Sequence, residues 1–321
     1  MIYRPKPSSR SPLYVLVLVL LGGSILCPAA GPPATKYPDA ILRLTDNRQP
    51  FTPRETGVPY ELPMKKLLDT QRGIPYGAAV RLTVEPLGEK LLVVDTAARG
   101  LLLKSSDTSG KDIVRIPEWV LPGPGLQTGV FKILGRLSWH ELSLEPAVAE
   151  LFQGKGYSWV DGILSTEVFS PWLVRLDFRK NRMSLLPLQK QDARARTEWE
   201  GRLDRNWWIV SAKIANKTAQ LLLDSGAGRT SLSEEWIQRN FGDLPRHQRA
   251  AGVIEGKYHE AGMWKFEIDG AAPLHISCLY TGPGQLPIST GMAIDGVLGY
   301  DALSELALDL DYNAGKLYLL R

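Results

Sequence analysis

Two stretches of the sequence align with each other without a gap, and they constrain the fold more than any other feature. Residues 161–186 and 295–320 share 8 identities in 26 positions, and many of the other positions are apolar in both. Each stretch ends in the pattern of two short strands joined by a tight turn, at residues 179–181 in the first and 313–315 in the second. A repeat of this kind predicts two similar lobes within one chain.

An apolar run that ends in an aspartate precedes each of these stretches at a similar distance. Residues 221–227 read Leu-Leu-Leu-Asp-Ser-Gly-Ala, and residues 91–98 read Leu-Leu-Val-Val-Asp-Thr-Ala-Ala. A strand that ends in this way delivers a carboxylate and a hydroxyl group into a tight turn. If the two lobes pack about a pseudo-two-fold axis, the aspartates, Asp95 and Asp224, face each other.

The rest of the chain from residue 80 onward has the texture of short strands. Residues 80–84, for example, alternate between apolar and polar side chains, which is typical of a half-buried strand. We expect helix only in short pieces, over residues 166–172, 301–306 and 234–240. The predicted fold class is therefore all-β.

Composition divides the chain into five segments. They are a leader (1–30), a Pro-rich lead-in that we expect to pack loosely (31–77), the first lobe (78–188), a charged linker (189–204) and the second lobe (205–321).

The leader has the layout of a secretory signal. Three basic residues and no acidic ones precede an apolar run over residues 13–21, which is short for a membrane span. Ordinary cleavage near residues 29–30, lipidation of Cys27 and an uncleaved anchor all remain open, and each predicts an exported protein. Any membrane contact would be through this leader. If Cys27 is removed or lipidated, Cys278 has no partner for an intrachain disulfide.

Other kinds of chemistry have little support in the sequence. Without the leader the formal charge falls from +4 to about +1, which argues against nucleic acid as a partner. The four histidines lack metal-ligand spacing, and Cys278 lies in an apolar run that is typical of a packed thiol. Residues 226–231 lack the lysine of a phosphate-binding loop. We expect neither a metal nor a cofactor.

Two facing carboxylates suggest a hydrolytic reaction. Because like charges at close range cannot both ionise at low cost, the pair shares one proton and offers an acid and a base at the same pH. The base can take a proton from a water that attacks an amide carbonyl, while the acid protonates the carbonyl oxygen.

These motifs resemble those of the retropepsin-like aspartic proteases, duplicated in one chain so that it mimics a pepsin-like bilobed enzyme. The resemblance covers residues 78–321. The family's Asp-Ser/Thr-Gly-Ala motif matches Asp224, Ser225, Gly226 and Ala227, and its first-lobe counterpart is Asp95, Thr96, Ala97 and Ala98. Its later motif of two apolar residues and a glycine matches Val297, Leu298 and Gly299, with Ile163, Leu164 and Ser165 in the first lobe.

The resemblance implies two closed β-barrel lobes, each with one short helix, and a catalytic dyad of Asp95 and Asp224. It implies that Thr96 and Ser225 hydrogen-bond across the lobe junction, and that a peptide or protein substrate binds in extended form. Flexible flaps would lie at residues 123–129 and 252–258. Because one chain supplies both halves of the site, we expect a monomer.

The first lobe departs from the family pattern at Ala97 and Ser165, where glycines are expected. A methyl group at Ala97 could turn Asp95 away from its partner, so a catalytically inactive exported peptide-binding or scaffold protein is the alternative, and dimerisation through the second lobes is a third. Ala98 and Ala227 stand where pepsin-like enzymes place Ser or Thr. Without hydroxyl donors there, we expect the dyad to titrate higher and activity to extend toward neutral pH.

Overall fold

A computed structural model describes the chain over twelve segments. They are residues 52–53, 57–68, 75–105, 112–115, 130–145, 147–152, 160–188, 195–204, 206–242, 247–251, 257–281 and 294–321. The chain divides into two compact units, Met1–Lys36 and Tyr37–Arg321, and only the second contains described residues. Three predicted features lie outside the described residues. They are the leader with Cys27, the flap candidate at 123–129 and residues 252–256 of the other flap candidate.

Strands dominate the described part of the chain, which confirms the all-β class. The first half contains β1 (Thr52–Pro53), β2 (Tyr60–Pro63), β3 (Lys65–Leu68), β4 (Pro75–Val84), β5 (Gly88–Asp95), β6 (Leu101–Lys104), β7 (Ile113–Arg115), β8 (Val130–Ile133), β9 (Leu137–Trp139), β10 (Leu142–Glu145), β11 (Val148–Phe152), β12 (Gly162–Ser165), β13 (Leu173–Asp177) and β14 (Arg182–Leu186). The second half contains β15 (Arg196–Glu198), β16 (Gly201–Asp204), β17 (Trp207–Ile214), β18 (Lys217–Leu223), β19 (Ser231–Ser233), β20 (His247–Ala251), β21 (Lys257–Glu267), β22 (Leu274–Thr281), β23 (Gly296–Leu298), β24 (Ala307–Asp311) and β25 (Lys316–Leu320).

Three short helices lie where the sequence predicts them. They are a 3₁₀ turn (Thr166–Phe169), α1 (Glu234–Phe241) and α2 (Tyr300–Leu303). The longest, α1, begins at Ser233, whose hydroxyl accepts a hydrogen bond from the Trp236 N–H group. It ends at Gly242, which has a φ of +74° that favours glycine.

The strands around the two aspartates follow the same order in both lobes. In the first lobe the order is β5-β12-β6-β11, and in the second it is β18-β23-β19-β22. In both, the aspartate strand pairs in parallel with the strand of the later motif. In the second lobe, pairing of β17 with β21 closes a barrel of six strands. The first-lobe strands belong to an eleven-stranded sheet.

A six-stranded sheet joins the two lobes, in the order β15-β25-β24-β13-β14-β2. The predicted hairpins β13-β14 and β24-β25 are both present, and they pair with each other through β13 and β24. Arg175 lies opposite Asp309 at the centre of this pairing, and the two form a bidentate ion pair with N–O distances of 2.7 and 2.8 Å. The lobes are thus joined by continuous backbone hydrogen bonding.

Two segments are more ordered than their composition suggests. In the lead-in, β2 pairs with β14 and β3 with β4, and the side chains of Tyr60, Leu62 and Leu67 are buried. Within residues 57–68 and 75–77, the expectation of loose packing is therefore wrong. Residues 196–204, predicted as linker, form the edge strands β15 and β16. An edge strand keeps polar side chains in water, so its composition resembles that of a linker.

One continuous apolar core spans both lobes. Its largest fully buried side chains include Trp172, Phe178, Trp208, Trp236 and Tyr300. Within the described segments, no helix has the length and apolar character needed to cross a membrane.

Candidate active site

The two aspartates lie at equivalent ends of two equivalent strands. Asp95 is the last residue of β5, and Asp224 directly follows β18. A glycine of the neighbouring strand sets the register in each lobe. A Cβ atom on Gly162 would overlap the Leu102 carbonyl oxygen, and one on Gly296 would overlap that of Ser231. Only glycine therefore lets these strands approach closely enough to hold the aspartates in place.

A second aspartate in each lobe, directly before this glycine, binds the same strand. The Asp161 carboxylate accepts a hydrogen bond from the Leu91 N–H group at 2.8 Å. At the aligned positions, the Asp295 carboxylate accepts one from the Gln220 N–H group at 2.9 Å. The two lobes therefore use matching contacts to place their aspartate strands.

The hydroxyl residues Thr96 and Ser225 interlock across the lobe junction, and both are completely buried. The Thr96 hydroxyl donates to the Leu223 carbonyl oxygen at 2.7 Å and accepts from the Ser225 N–H group at 3.0 Å. The Ser225 hydroxyl donates to the Val94 carbonyl oxygen at 2.8 Å and accepts from the Thr96 N–H group at 3.1 Å. Because every partner is buried, loss of one hydroxyl leaves unsatisfied polar groups at the junction.

This interlock places the Asp95 carboxyl group against Gly226 in the other turn, and the two carboxyl groups shift each other's pKa. Each also accepts two backbone N–H bonds from the residues that follow it in its own turn. These donors are Ala97 (2.7 Å) and Ala98 (2.9 Å) for Asp95, and Gly226 (2.9 Å) and Ala227 (2.9 Å) for Asp224. Both side chains are half-buried, so they are held rigidly but keep one side accessible.

Ala97 does not turn Asp95 away from its partner, although its aligned counterpart Gly226 has no space for a methyl group. A Cβ atom on Gly226 would lie 2.5 Å from the Asp95 Cγ atom. Ala97 carries such a methyl group and still donates its N–H to Asp95, whose carboxyl group lies against Gly226 in the other turn. The two turns are therefore similar but not identical in their packing.

The surroundings raise the pKa of both dyad carboxyl groups. Loss of hydration on burial is the main cause for Asp95 and for Asp224, and the neighbouring charge of Asp95 adds to it at Asp224, whose pKa rises to about 8. Backbone N–H donors oppose this rise in each turn. Burial is the main cause of the rise here, whereas the sequence expectation concerned the missing hydroxyl donors of Ala98 and Ala227 and stays a prediction. The pair therefore holds one proton near neutral pH.

The second motif lies, in both lobes, on the strand that pairs with the aspartate strand. Its apolar members, Ile163, Leu164, Val297 and Leu298, are all buried in strands. A Cβ atom on Gly299 would lie 2.6 Å from the Arg229 carbonyl oxygen, so glycine is needed there. Ser165 replaces it in the first lobe, where the Ser165 N–H group donates to the Gly100 carbonyl oxygen at 2.9 Å. The glycine of this contact in the first lobe is therefore Gly100, whose φ of +59° favours glycine, whereas in the second lobe it is Gly299.

Three residues near the dyad were not predicted from the sequence. Glu167 is 3% exposed and accepts a hydrogen bond from the Gly100 N–H group, and burial raises its pKa to about 7. It aligns with Asp301, and this pair of acidic residues was a signal that could have identified it. Trp207 donates its indole N–H to the Ala97 carbonyl oxygen, and Tyr312 hydrogen-bonds to Thr166. No sequence pattern marks either one.

The other nucleophile or ligand candidates lie apart from this chemistry. Among the described residues, no group of three or more His, Cys, Asp or Glu side chains could hold a metal ion. Cys278 is fully buried, and the loss of hydration raises the pKa of its thiol. A buried thiol with a raised pKa is a poor nucleophile.

Comparison with known proteins identifies the fold but not the family. No family model matches the sequence, and no curated protein matches it. Among solved structures, the aspartic proteinase from Irpex lacteus matches with a TM-score of 0.50 and 13% sequence identity, over 82% of this chain and 97% of that one. At this identity the similarity concerns the fold alone. The chain therefore has the two-lobed, all-β fold of a pepsin-like aspartic proteinase.

Proposed function

We propose that this chain is an aspartic endopeptidase that hydrolyses peptide bonds with a water activated by Asp95 and Asp224. One observation carries the proposal. Two half-buried carboxyl groups lie in equivalent turns, close enough for each to shift the pKa of the other, and each accepts two backbone N–H bonds. Such an arrangement holds a single proton between two carboxylates and can bind a water against both.

The reaction needs only the dyad and water. The ionised carboxylate takes a proton as the water oxygen attacks the carbonyl carbon of the substrate, and the protonated carboxyl gives its proton to the carbonyl oxygen. The resulting tetrahedral intermediate then collapses. The carbon–nitrogen bond breaks, and the amine nitrogen leaves with the proton that the first carboxylate had taken.

We further infer that the two lobes are diverged copies of a retropepsin-like unit. The aligned glycines Gly162 and Gly296 exclude a side chain for the same reason, and the aligned aspartates Asp161 and Asp295 accept equivalent backbone bonds. The substrate we propose is an extended polypeptide, since a cleft between β-lobes pairs backbone with backbone. The leader supports export, and a dyad drawn from both halves supports a monomer.

An exported peptide-binding protein without catalysis is the second candidate. The observation that favours it is Ala97, whose methyl group has no counterpart at Gly226. In this case the cleft would bind an extended peptide and leave it intact.

Peptide cleavage by matched variants separates the candidates. The mature chain, Asp95→Asn and Asp224→Asn would be incubated with a diverse peptide library at several pH values, and products identified by mass spectrometry. Asp177→Asn is the control, since Asp177 is 8% exposed and lies in β13, outside the dyad. We expect both dyad variants to be inactive and folded, and the control to be active. Cleavage by none of the proteins would favour the binding function, and loss with Asp224→Asn alone would favour pairing of second lobes.

A further inference from the structure

Trp207 reaches from the second lobe into the dyad turn of the first. It is the first residue of β17, and its indole Nε1–H group donates to the Ala97 carbonyl oxygen at 2.7 Å. That carbonyl belongs to the peptide group that joins Ala97 to Ala98. The N–H of the same peptide group donates to the Asp95 Oδ1 atom at 2.9 Å. One peptide group therefore connects the indole to the carboxylate through two hydrogen bonds.

This arrangement has a direct electrostatic consequence. A donor on a peptide carbonyl polarises the amide, so that its N–H becomes a stronger donor. A stronger donor to a carboxylate favours the ionised form and lowers its pKa. Trp207 therefore stabilises negative charge on Asp95 without touching it, and it also restrains the turn that carries it.

The second dyad turn has no tryptophan at the equivalent position. Val93 and Leu222 each lie two residues before a dyad aspartate. Val93 pairs with Ala79 in β4, and Leu222 pairs with Ile209 in β17. Two residues earlier in these strands stand Gly77 and Trp207, so the counterpart of Trp207 is a glycine with no side chain. The pseudo-symmetric position therefore offers the Asp224 turn no indole, and the bond from Trp207 acts on the Asp95 turn.

We propose that Trp207 is a positioning residue that makes Asp95 the ionised, proton-accepting member of the dyad and leaves the proton on Asp224. This inference rests on the proposed function. The burial and neighbouring charge that raise the pKa of Asp224 act in the same direction. The other ionisable groups around the turn are Tyr312, Glu167 and Arg99, and a change at Trp207 leaves all three in place.

The assignment fixes the direction of each proton transfer. As the water oxygen bonds to the substrate carbonyl carbon, Asp95 receives the water proton and Asp224 gives its proton to the carbonyl oxygen. When the carbon–nitrogen bond breaks, the proton on Asp95 moves to the departing amine nitrogen and that of the hydroxyl group returns to Asp224. The dyad ends in its starting state.

Trp207→Phe removes the N–H donor and keeps an aromatic ring of similar shape. Its matched control is Trp199→Phe, because the Trp199 Nε1–H group also donates to a backbone carbonyl oxygen, that of Ser211 at 2.8 Å, outside the dyad turns. We expect Trp207→Phe to move the acidic limb of the kcat/KM–pH profile upward by roughly 0.2–0.6 pH units. We also expect kcat to fall by about 3–10-fold with KM nearly unchanged, because the substrate contacts remain. Trp199→Phe should change neither quantity.

The carboxyl ¹³C titration of the labelled protein gives a measurement that does not depend on activity, with Asp95→Asn for assignment. Asp95 should titrate below Asp224 in the parent, and its pKa should rise in Trp207→Phe. The reverse order in the parent overturns the inference, even if Trp207→Phe fails to fold. An unshifted acidic limb or titration, or equal shifts in both Trp variants, overturns it as well. If the parent cleaves no peptide but the titration behaves as expected, the proposed function fails and the positioning role of Trp207 stands.

Discussion

The packing of Gly226 against Asp95 gives a sharp test of the dyad. In Gly226→Ala the new methyl carbon would lie 2.5 Å from the Asp95 Cγ atom, whereas ordinary contacts begin at 3.4 Å. The carboxyl group must therefore retreat by about 1 Å, and a displacement of this size typically costs on the order of 100-fold in rate. Gly226 is not in the left-handed region, so the substitution acts through this contact and not through backbone strain.

Ala97→Gly is the matched variant, because it removes a methyl group at the aligned position of the other turn. We expect it to keep activity within a few-fold of the parent, with a loss of roughly 0.5–1 kcal/mol in the free energy of unfolding from added backbone freedom. Gly226→Ala should lose about 1–3 kcal/mol through overpacking.

Peptide cleavage and urea unfolding would be measured for the parent, both single variants and the double variant. The reasoning requires Gly226→Ala to be folded and at least about 100-fold slower in kcat/KM. A folded Gly226→Ala protein with activity close to that of the parent would show that the Asp95 carboxyl group is not needed where the structure places it. Equal losses of kcat/KM in both single variants would show that activity depends on the conformation of the two turns and not on the contact between Gly226 and Asp95.

Three further predictions concern stability. Thr96→Val should lower the free energy of unfolding by about 2–5 kcal/mol in urea titrations, because it leaves buried hydrogen-bond partners unsatisfied. Ser143→Ala should change this free energy little, because the buried Ser143 hydroxyl has no hydrogen-bond partner in the described structure. Equal losses in the two variants would refute this reasoning. The folded-state pKa of Glu167, about 7, exceeds its usual value of 4.5. Its contribution to the free energy of unfolding is therefore full below pH 4.5 and falls by roughly 3 kcal/mol as the pH rises to about 7. Glu167→Gln should remove this fall from thermal unfolding profiles measured over the same pH range. Arg175→Met should lower the free energy of unfolding by about 3–5 kcal/mol, because it leaves the Asp309 carboxylate buried without its main partner. The exchange of Arg175→Asp with Asp309→Arg should recover part of this loss in a double-mutant cycle.

The sequence predicted those parts of the fold that have a local pattern or a repeated one. The two aspartate strands, both hairpins of the joining sheet and all three short helices follow from apolar alternation, turn residues and the internal alignment. Thr96 and Ser225 were identified because they occupy the same position after each aspartate. In all these cases neighbouring residues, or the second copy, carry the information.

The remaining features depend on contacts between distant parts of the chain. Strand β2 pairs with β14, more than a hundred residues away, and its short mixed sequence gives no period that would reveal this. Trp207 resembles any other aromatic residue at the start of a strand until the turn with Ala97 is packed against it. A hydrogen bond between an indole and a distant carbonyl oxygen depends on tertiary structure, which local propensity does not encode.

The ion pair between Arg175 and Asp309 bears on how the lobes find each other. These residues occupy aligned positions of the two hairpins and lie opposite each other, so the pseudo-two-fold axis passes between them. In a pair of identical lobes, this position would place Arg beside Arg, or Asp beside Asp, at a site where the Asp309 side chain is fully buried. Two like charges there are costly, whereas one of each sign forms a bidentate pair. We therefore expect each lobe to prefer its partner in the same chain, and the protein to sediment as a monomer. A stable dimer in the parent, retained in Asp224→Asn, would contradict this argument.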